Sequence, residues 1–216
     1  MRYKAVIFDL DGTLLDTLED IAAAMNAALE RLGRAPHPVD SYRLFVGDGM
    51  ATLASRALGE GASDETLAKT VLAMMQEEYG RGWARKTKPY EGIEEMLARC
   101  AGIKAVMSVF SNKPDDFTVN MVAHYFPGIR FARVLGAGLY PRKPDPAGAL
   151  HIAAHTGIDP SCFLYLGDTA TDMRTAAAAG MYPVGAVWGF RGAEELSAAG
   201  ARILLTHPRE FPDLLR

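Results

Sequence analysis

The sequence predicts an α/β fold in which a parallel sheet carries crossover helices on both faces and an all-helical segment is inserted after the first strand. Three observations predict it. Short runs of β-branched and aliphatic residues recur between stretches of helical period, glycines stand where those helices should stop, and one long early segment holds no convincing strand.

In chain order, the strand-like runs are KAVIF at 4–8, IKAVMSVF at 103–110, a further strand near 130–135, CFLYL at 162–166, YPVGAV at 182–187 and ARILL at 201–205. They are nearly continuously apolar, as strands covered on both faces must be. Helical period is found over 92–101, 114–125, 145–156, 170–179 and 193–199, with Gly180 and Gly200 at two helix ends. Residues 16–88 read instead as several helices. The first opens on Thr17 with Asp20 three residues on, in the manner of a capping box. Leu18, Ile21, Met25, Ala28, Leu29 and Leu32 give it one apolar stripe, and Gly33 ends it. Further helices are expected over about 38–45, 49–58 and 63–80, and RKTKPYEG at 85–92 returns the chain to the sheet. Two domains result, 1–15 with 89–216 and, inserted between them, 16–88.

With 49% hydrophobic residues in 216 positions the chain can bury a substantial core. Its 23 Lys and Arg against 26 Asp and Glu leave a net charge of −3, no footprint for nucleic acid or an anionic membrane. No apolar run approaches the roughly eighteen residues that span a bilayer, and no signal-peptide pattern opens the chain. A cytoplasmic protein with neither nucleic-acid nor membrane partners is therefore expected, as a monomer or homodimer. Cys100 and Cys162 lack metal or disulfide spacing and are expected to be reduced and buried.

FDLDGT at 8–13 follows a buried strand directly, so Asp9 and Asp11 fall at the carboxyl edge of the sheet, where open α/β folds bind ligands. Two carboxylates so close repel unless a cation or a shared proton relieves them. Gly12 supplies the turn beyond the pair and Thr13 a hydroxyl to brace it. GDTATD at 167–172 also follows an apolar strand, and places Asp168 at the same edge with Asp172 one helical turn later. These carboxylates suit Mg²⁺, although Asp168 or Thr169 equally suits an N-cap. SNKP at 111–114 offers Ser111 and Asn112 at a strand end leading to a helix N-terminus, a place for an anion, or else an ordinary cap with Pro114 at the first helical position. PRKPDP at 141–146 carries Lys143 in a proline-stiffened loop, suited to hold a phosphoryl group or simply to be solvated.

Taken together and in this order, these motifs resemble those of the haloacid dehalogenase-like hydrolase superfamily. The resemblance implies a Rossmann-like core with a small helical cap, and an Mg²⁺-dependent phosphatase working through an aspartyl phosphate. It assigns Asp9 as nucleophile, Asp11 as general acid and base, Ser111 and Lys143 as phosphoryl ligands, and Asp9, Asp11, Asp168 and Asp172 to the metal, the last as a ligand or as support behind the ligands, with Thr13 and Asn112 at the substrate. Asp11 disfavours dehalogenation, since the dehalogenases lack this second aspartate. YRLFVGDGM at 42–50, VFSNKPDD at 109–116 and VWGFRGAEELSAAGA at 187–201 resemble segments of the bacterial phosphoglycolate phosphatases in that superfamily. That narrower likeness implies a small phosphorylated metabolite as partner, 2-phosphoglycolate first. It makes Gly47, Asp48, Gly49, Arg43 and Arg191 candidate substrate contacts, the arginines for a substrate carboxylate; because only two short stretches connect the cap to the core, closure is expected at hinges near 16–18 and 86–89. A sugar phosphomutase and phosphatases of sugar phosphates, nucleotides or pyrophosphate are the rivals, and a non-enzymatic binding protein on the same fold is the third class.

Overall fold

The computed structural model describes residues 3–215. They form two compact units, one made of the chain up to Leu15 together with the chain from Pro89 onward, the other of Asp16–Lys88.

The first unit is built on a six-stranded, wholly parallel sheet. Its strands are β1 (Ala5–Phe8), β4 (Val106–Pro114), β5 (Arg133–Ala137), β6 (Phe163–Gly167), β7 (Tyr182–Ala186) and β8 (Ile203–Leu205), in the spatial order β5-β4-β1-β6-β7-β8. Ile7 pairs with Ser108 on one side and Tyr165 on the other, which fixes the register at the centre. Five helices connect these strands: α5 (Ile93–Gly102), α6 (Asp115–Tyr125), α7 (Ala147–Thr156), α8 (Ala170–Ala178) and α9 (Ala193–Ala198). On one face Ile7, Phe110, Phe163 and Tyr165 pack with Ile152 and Ala153 of α7 and Ala176 of α8. On the other, Phe8 meets Phe211 with ring centroids 5.6 Å apart. Fully burying such a side chain contributes about 1.5–3 kcal/mol, so the central strands are held from both sides and their ends are rigid platforms.

Two expectations shift. The strand read over 103–110 begins only at Val106, because Ile103, Lys104 and Ala105 donate their N–H groups to the last carbonyls of α5 and Lys104 adopts a left-handed φ of 59°. The same strand then runs on to Pro114, past its predicted end and alongside β5. Pro114 therefore stands before α6 rather than in its first turn. Cys100 is buried as expected, but Cys162 is only partly so; both are free thiols.

The second unit is helical, with α1 (Leu18–Arg31), α2 (Tyr42–Phe45), α3 (Met50–Leu58) and α4 (Glu65–Gly82). Ile21, Met25, Ala28 and Leu29 form the buried stripe of α1, and Val71, Met75 and Tyr79 that of α4. Asp64 caps α4 by accepting from the N–H groups of Thr66 and Leu67. The chain enters and leaves this unit through two paired two-residue strands, β2 (Leu15–Asp16) and β3 (Lys88–Pro89). Among the described residues no helix is long and apolar enough to cross a membrane.

The capping box expected at Thr17 and Asp20 does not form: the Thr17 hydroxyl makes no cap bond and is buried without a hydrogen-bond partner. Asp20 instead accepts from the N–H of Lys86 at 2.9 Å and from the N–H and hydroxyl of Thr87 at 2.8 Å each. Three donors outweigh the single one a cap offers, so a contact 66 residues away in sequence wins. Asp20→Ala should strand these donors and lower stability by about 3 kcal/mol, read as a fall in the thermal unfolding midpoint; an unchanged midpoint would show that the carboxylate does not clasp the returning chain.

Candidate active site

The strand order brings β4, β1 and β6 side by side, so the residues after their carboxyl ends must meet. β1 delivers Asp9, whose N–H continues the ladder to the carbonyl of Leu166 at 2.9 Å. The chain then turns through Gly12 at φ 84°, and a side chain there would collide with the Asp168 carboxylate. β6 delivers Asp168, and α8 begins directly behind it.

Lys143 is the centre of the site. Its side chain is 2% exposed, with Nζ 2.9 Å from Asp9 Oδ1 and 2.7 Å from Asp172 Oδ1. The Phe110 ring lies beneath it, its centroid 5.8 Å from the ammonium. The loop that carries it is clasped by Asn112: the Lys143 N–H donates to Asn112 Oδ1 at 2.9 Å, and Asn112 Nδ2 donates to the Lys143 carbonyl at 3.2 Å. The other oxygen of Asp172 accepts from the N–H and hydroxyl of Thr169 at 3.1 and 2.6 Å, which completes a capping box at the start of α8. Asp168 accepts from the Thr13 hydroxyl at 3.0 Å and the Phe190 N–H at 2.8 Å. Asp9 Oδ1 also accepts from the Leu10 N–H at 2.7 Å.

Asp9, Asp168 and Asp172 are all buried, and each offers an oxygen within 4.8 Å of the others. Burial, then the charge of Asp172, pushes Asp9 up to about 7 against the pull of Lys143. Burial, then Asp9 and Asp172, likewise raises Asp168 well above the usual carboxylate range. Burial opposes the charge of Lys143, but Asp172 and Asp9 outweigh it and hold its pKa above the ordinary lysine value. Three desolvated carboxylates against one ammonium form a deficit of positive charge, and hard oxygen donors of this kind fit a small divalent cation.

The structure thus gathers Asp9, Thr13, Lys143, Asp168 and Asp172, and sets Ser111 and Asn112 on the neighbouring strand. Several of these residues have partners within the protein. Both oxygens of Asp172 accept within the protein, from Lys143 and from Thr169, and the same carboxylate belongs to the buried trio that could hold a metal. The Asp11 carboxylate is turned to Lys113, with Nζ 3.0 and 3.1 Å from its two oxygens, and is not part of the buried trio. Thr13, expected at the substrate, is fully buried and braces Asp168, while its carbonyl accepts from the Trp188 indole at 3.0 Å. Asn112 holds the Lys143 loop. Ser111 Oγ accepts from the Lys113 N–H at 3.3 Å. Arg191 pairs with Glu195 at 3.3 Å. Arg43, Gly47, Asp48 and Gly49 belong to the helical unit, where Arg43 pairs with Asp40 at 3.6 Å and Asp48 with Arg56.

Lys113 is the residue that sequence reading passed over. Its side chain is 2% exposed and the strand alternation places it on the side of Ser111, a signal that was present in SNKP.

A family model described as haloacid dehalogenase-like hydrolase matches residues 6–186. A phosphoglycolate phosphatase of Pseudomonas putida is 32% identical over 207 residues, covering 94% of this chain and 76% of the relative. One from Psychrobacter arcticus is 32% identical over 203 residues, covering 91% and 88%. A solved structure from Lactobacillus delbrueckii subsp. bulgaricus, described as a candidate phosphoglycolate phosphatase, superposes with a TM-score of 0.92 at 29% identity and covers 100% of this chain and 99% of its own.

Proposed function

The chain belongs to the haloacid dehalogenase-like hydrolase family and is a phosphoric monoester hydrolase; on that premise we propose that it is an Mg²⁺-dependent phosphatase that cleaves small phosphomonoesters through an aspartyl phosphate, 2-phosphoglycolate foremost. The observation that carries this reading is the pairing of Asp9 with Lys143 at 2.9 Å beside the buried Asp168.

Asp9 has one oxygen fixed by the Leu10 N–H and Lys143, which leaves the other to attack phosphorus. Lys143 and Ser111 hold the phosphoryl oxygens against the carboxylate. As the P–O ester bond breaks, Asp11 gives the departing alkoxide a proton that it has first taken from solvent; it then takes one from the water that attacks the aspartyl phosphate, which restores Asp9 and releases phosphate. Asp9 and Asp168 would hold Mg²⁺, which when bound neutralises the meeting of carboxylate and phosphate dianion. Hydrolysis sets this reading apart from a phosphomutase, which returns phosphate to a bound sugar.

A phosphate-release screen with Mg²⁺ over 2-phosphoglycolate, sugar phosphates, nucleotides and pyrophosphate tests the substrate. The highest kcat/KM should fall on 2-phosphoglycolate, and a strong preference for any other member would overturn that choice. The metal has a separate readout. Because Asp9 and Asp168 hold protons more tightly folded than unfolded, the metal-free protein loses stability as pH rises from about 4 toward about 7. Mg²⁺ competes with those protons, so it should raise the melting temperature by about 5 °C or more at pH 8 and clearly less at pH 5. Equal gains at both, or none, would remove the cation from these carboxylates.

A further inference from the structure

We infer that Lys113 selects the substrate: its ammonium receives a second anionic group, a carboxylate on the carbon next to the ester oxygen, in exchange for the Asp11 carboxylate that it holds at rest. This rests on the reading of the site as a phosphomonoesterase.

The two lysines of the site divide its anions. Lys143 is committed to Asp9 and Asp172, where the phosphoryl group must arrive. Lys113 faces a different carboxylate. It grips both oxygens of Asp11 at 3.0 and 3.1 Å, and its side chain is 2% exposed while that of Asp11 is 13% exposed. The backbone beneath it is pinned, with the N–H on Ser111 Oγ at 3.3 Å and the carbonyl accepting the Thr118 hydroxyl at 3.2 Å, so the ammonium can shift only along its own side chain.

Asp11 is the group that must face the ester oxygen, yet both of its oxygens face Lys113. For proton transfer to the leaving group this carboxylate has to turn. A substrate of the form carboxylate–CH₂–O–phosphate carries its second anion two bonds from that same ester oxygen, beside Asp11 and within a lysine's reach. Lys113 already binds a carboxylate with both oxygens, and a second one brought by the substrate offers the same partner. The two carboxylates repel each other, so seating the substrate's carboxylate on Lys113 drives Asp11 off toward the ester oxygen. A phosphomonoester without the second anion leaves Asp11 held. Binding of a remote group is thereby spent on assembling the reacting geometry, which affects kcat as well as KM.

The test compares 2-phosphoglycolate with 2-hydroxyethyl phosphate, which has the same leaving-group class and a hydroxyl in place of the carboxylate. The readout is the ratio of kcat/KM for the two, in the parent, Lys113→Met and Lys113→Arg, each checked for folding by circular dichroism. Lys113→Met should lower the ratio by about 30-fold or more, with the fall shared between kcat and KM, and Lys113→Arg should restore most of it. A ratio that stays within threefold in Lys113→Met overturns the inference, whether both activities fall together or neither does. Absence of phosphate release from every monoester by the parent enzyme would sink the phosphatase reading itself, a distinct result.

Discussion

Asp9→Asn should lower turnover by at least about 10⁴-fold while leaving the protein as stable as the parent or more so. The first half follows from covalent catalysis: an amide matches the carboxylate in shape but cannot form the aspartyl phosphate, and loss of a nucleophile that acts as a unit with its partners removes nearly the whole chemical acceleration. The second half follows from the environment. Asp9 is a desolvated carboxylate facing Asp172, pushed up to about 7, so its charge opposes folding at neutral pH. Asparagine removes that charge and keeps an oxygen for the Leu10 N–H, while Lys143 retains Asp172 at 2.7 Å. Phosphate release and thermal unfolding in chelator decide it together. Residual activity above a hundredth of the parent would end the nucleophile assignment, and a large loss of stability would show that Asp9 is held chiefly for the fold.

Lys143→Met should strike both quantities at once. The methionine fills the space over Phe110 but leaves Asp9 and Asp172 buried with no cation between them. Breaking a buried pair in this way costs about 3–5 kcal/mol, because the orphaned charges remain desolvated. Turnover should fall by about 10³-fold as the electrostatic support for the phosphoryl group disappears. Mg²⁺ should recover part of the stability and little of the rate, since a cation at Asp9 and Asp168 relieves the charge without replacing the ammonium. Unchanged melting with normal turnover would mean that Lys143 is neither the hub of the carboxylates nor a phosphoryl ligand. The contrast between the two variants separates a charge that the fold tolerates for chemistry from one that the fold requires.

The alternation of apolar runs and helices could be read from the chain because each element announces its own period, and the carboxylates of FDLDGT and GDTATD could be read because they follow such runs directly. What escaped depends on partners far away in sequence. Lys113 carries no signal of its own until the strand order sets it against Asp11, 102 residues earlier. Asp20 fits a local cap until the returning chain supplies Lys86 and Thr87. Asp172 stays open between metal and support, and its bonds to Lys143 and Thr169 could not be read before the fold was known. Thr13 and Asn112 stand at the substrate only through the resemblance, and their bonds to Asp168 and to the Lys143 loop depend on packing between distant segments. The early start assigned to the strand at 103 has a local cause, since Ile103 and Ala105 are as apolar as the strand they precede.

The paired strands Leu15–Asp16 and Lys88–Pro89 have a consequence for how such a chain diversifies. Neighbouring strands lie about 4.8 Å apart, so the chain leaves for 16–88 and returns from it through two adjacent stems. Anything whose two ends come that close can be spliced there without disturbing the register of β1, on which Asp9 depends. The insertion can lengthen, shrink or be exchanged while the carboxylates at the sheet's edge stay in place, so change in one unit is uncoupled from change in the other.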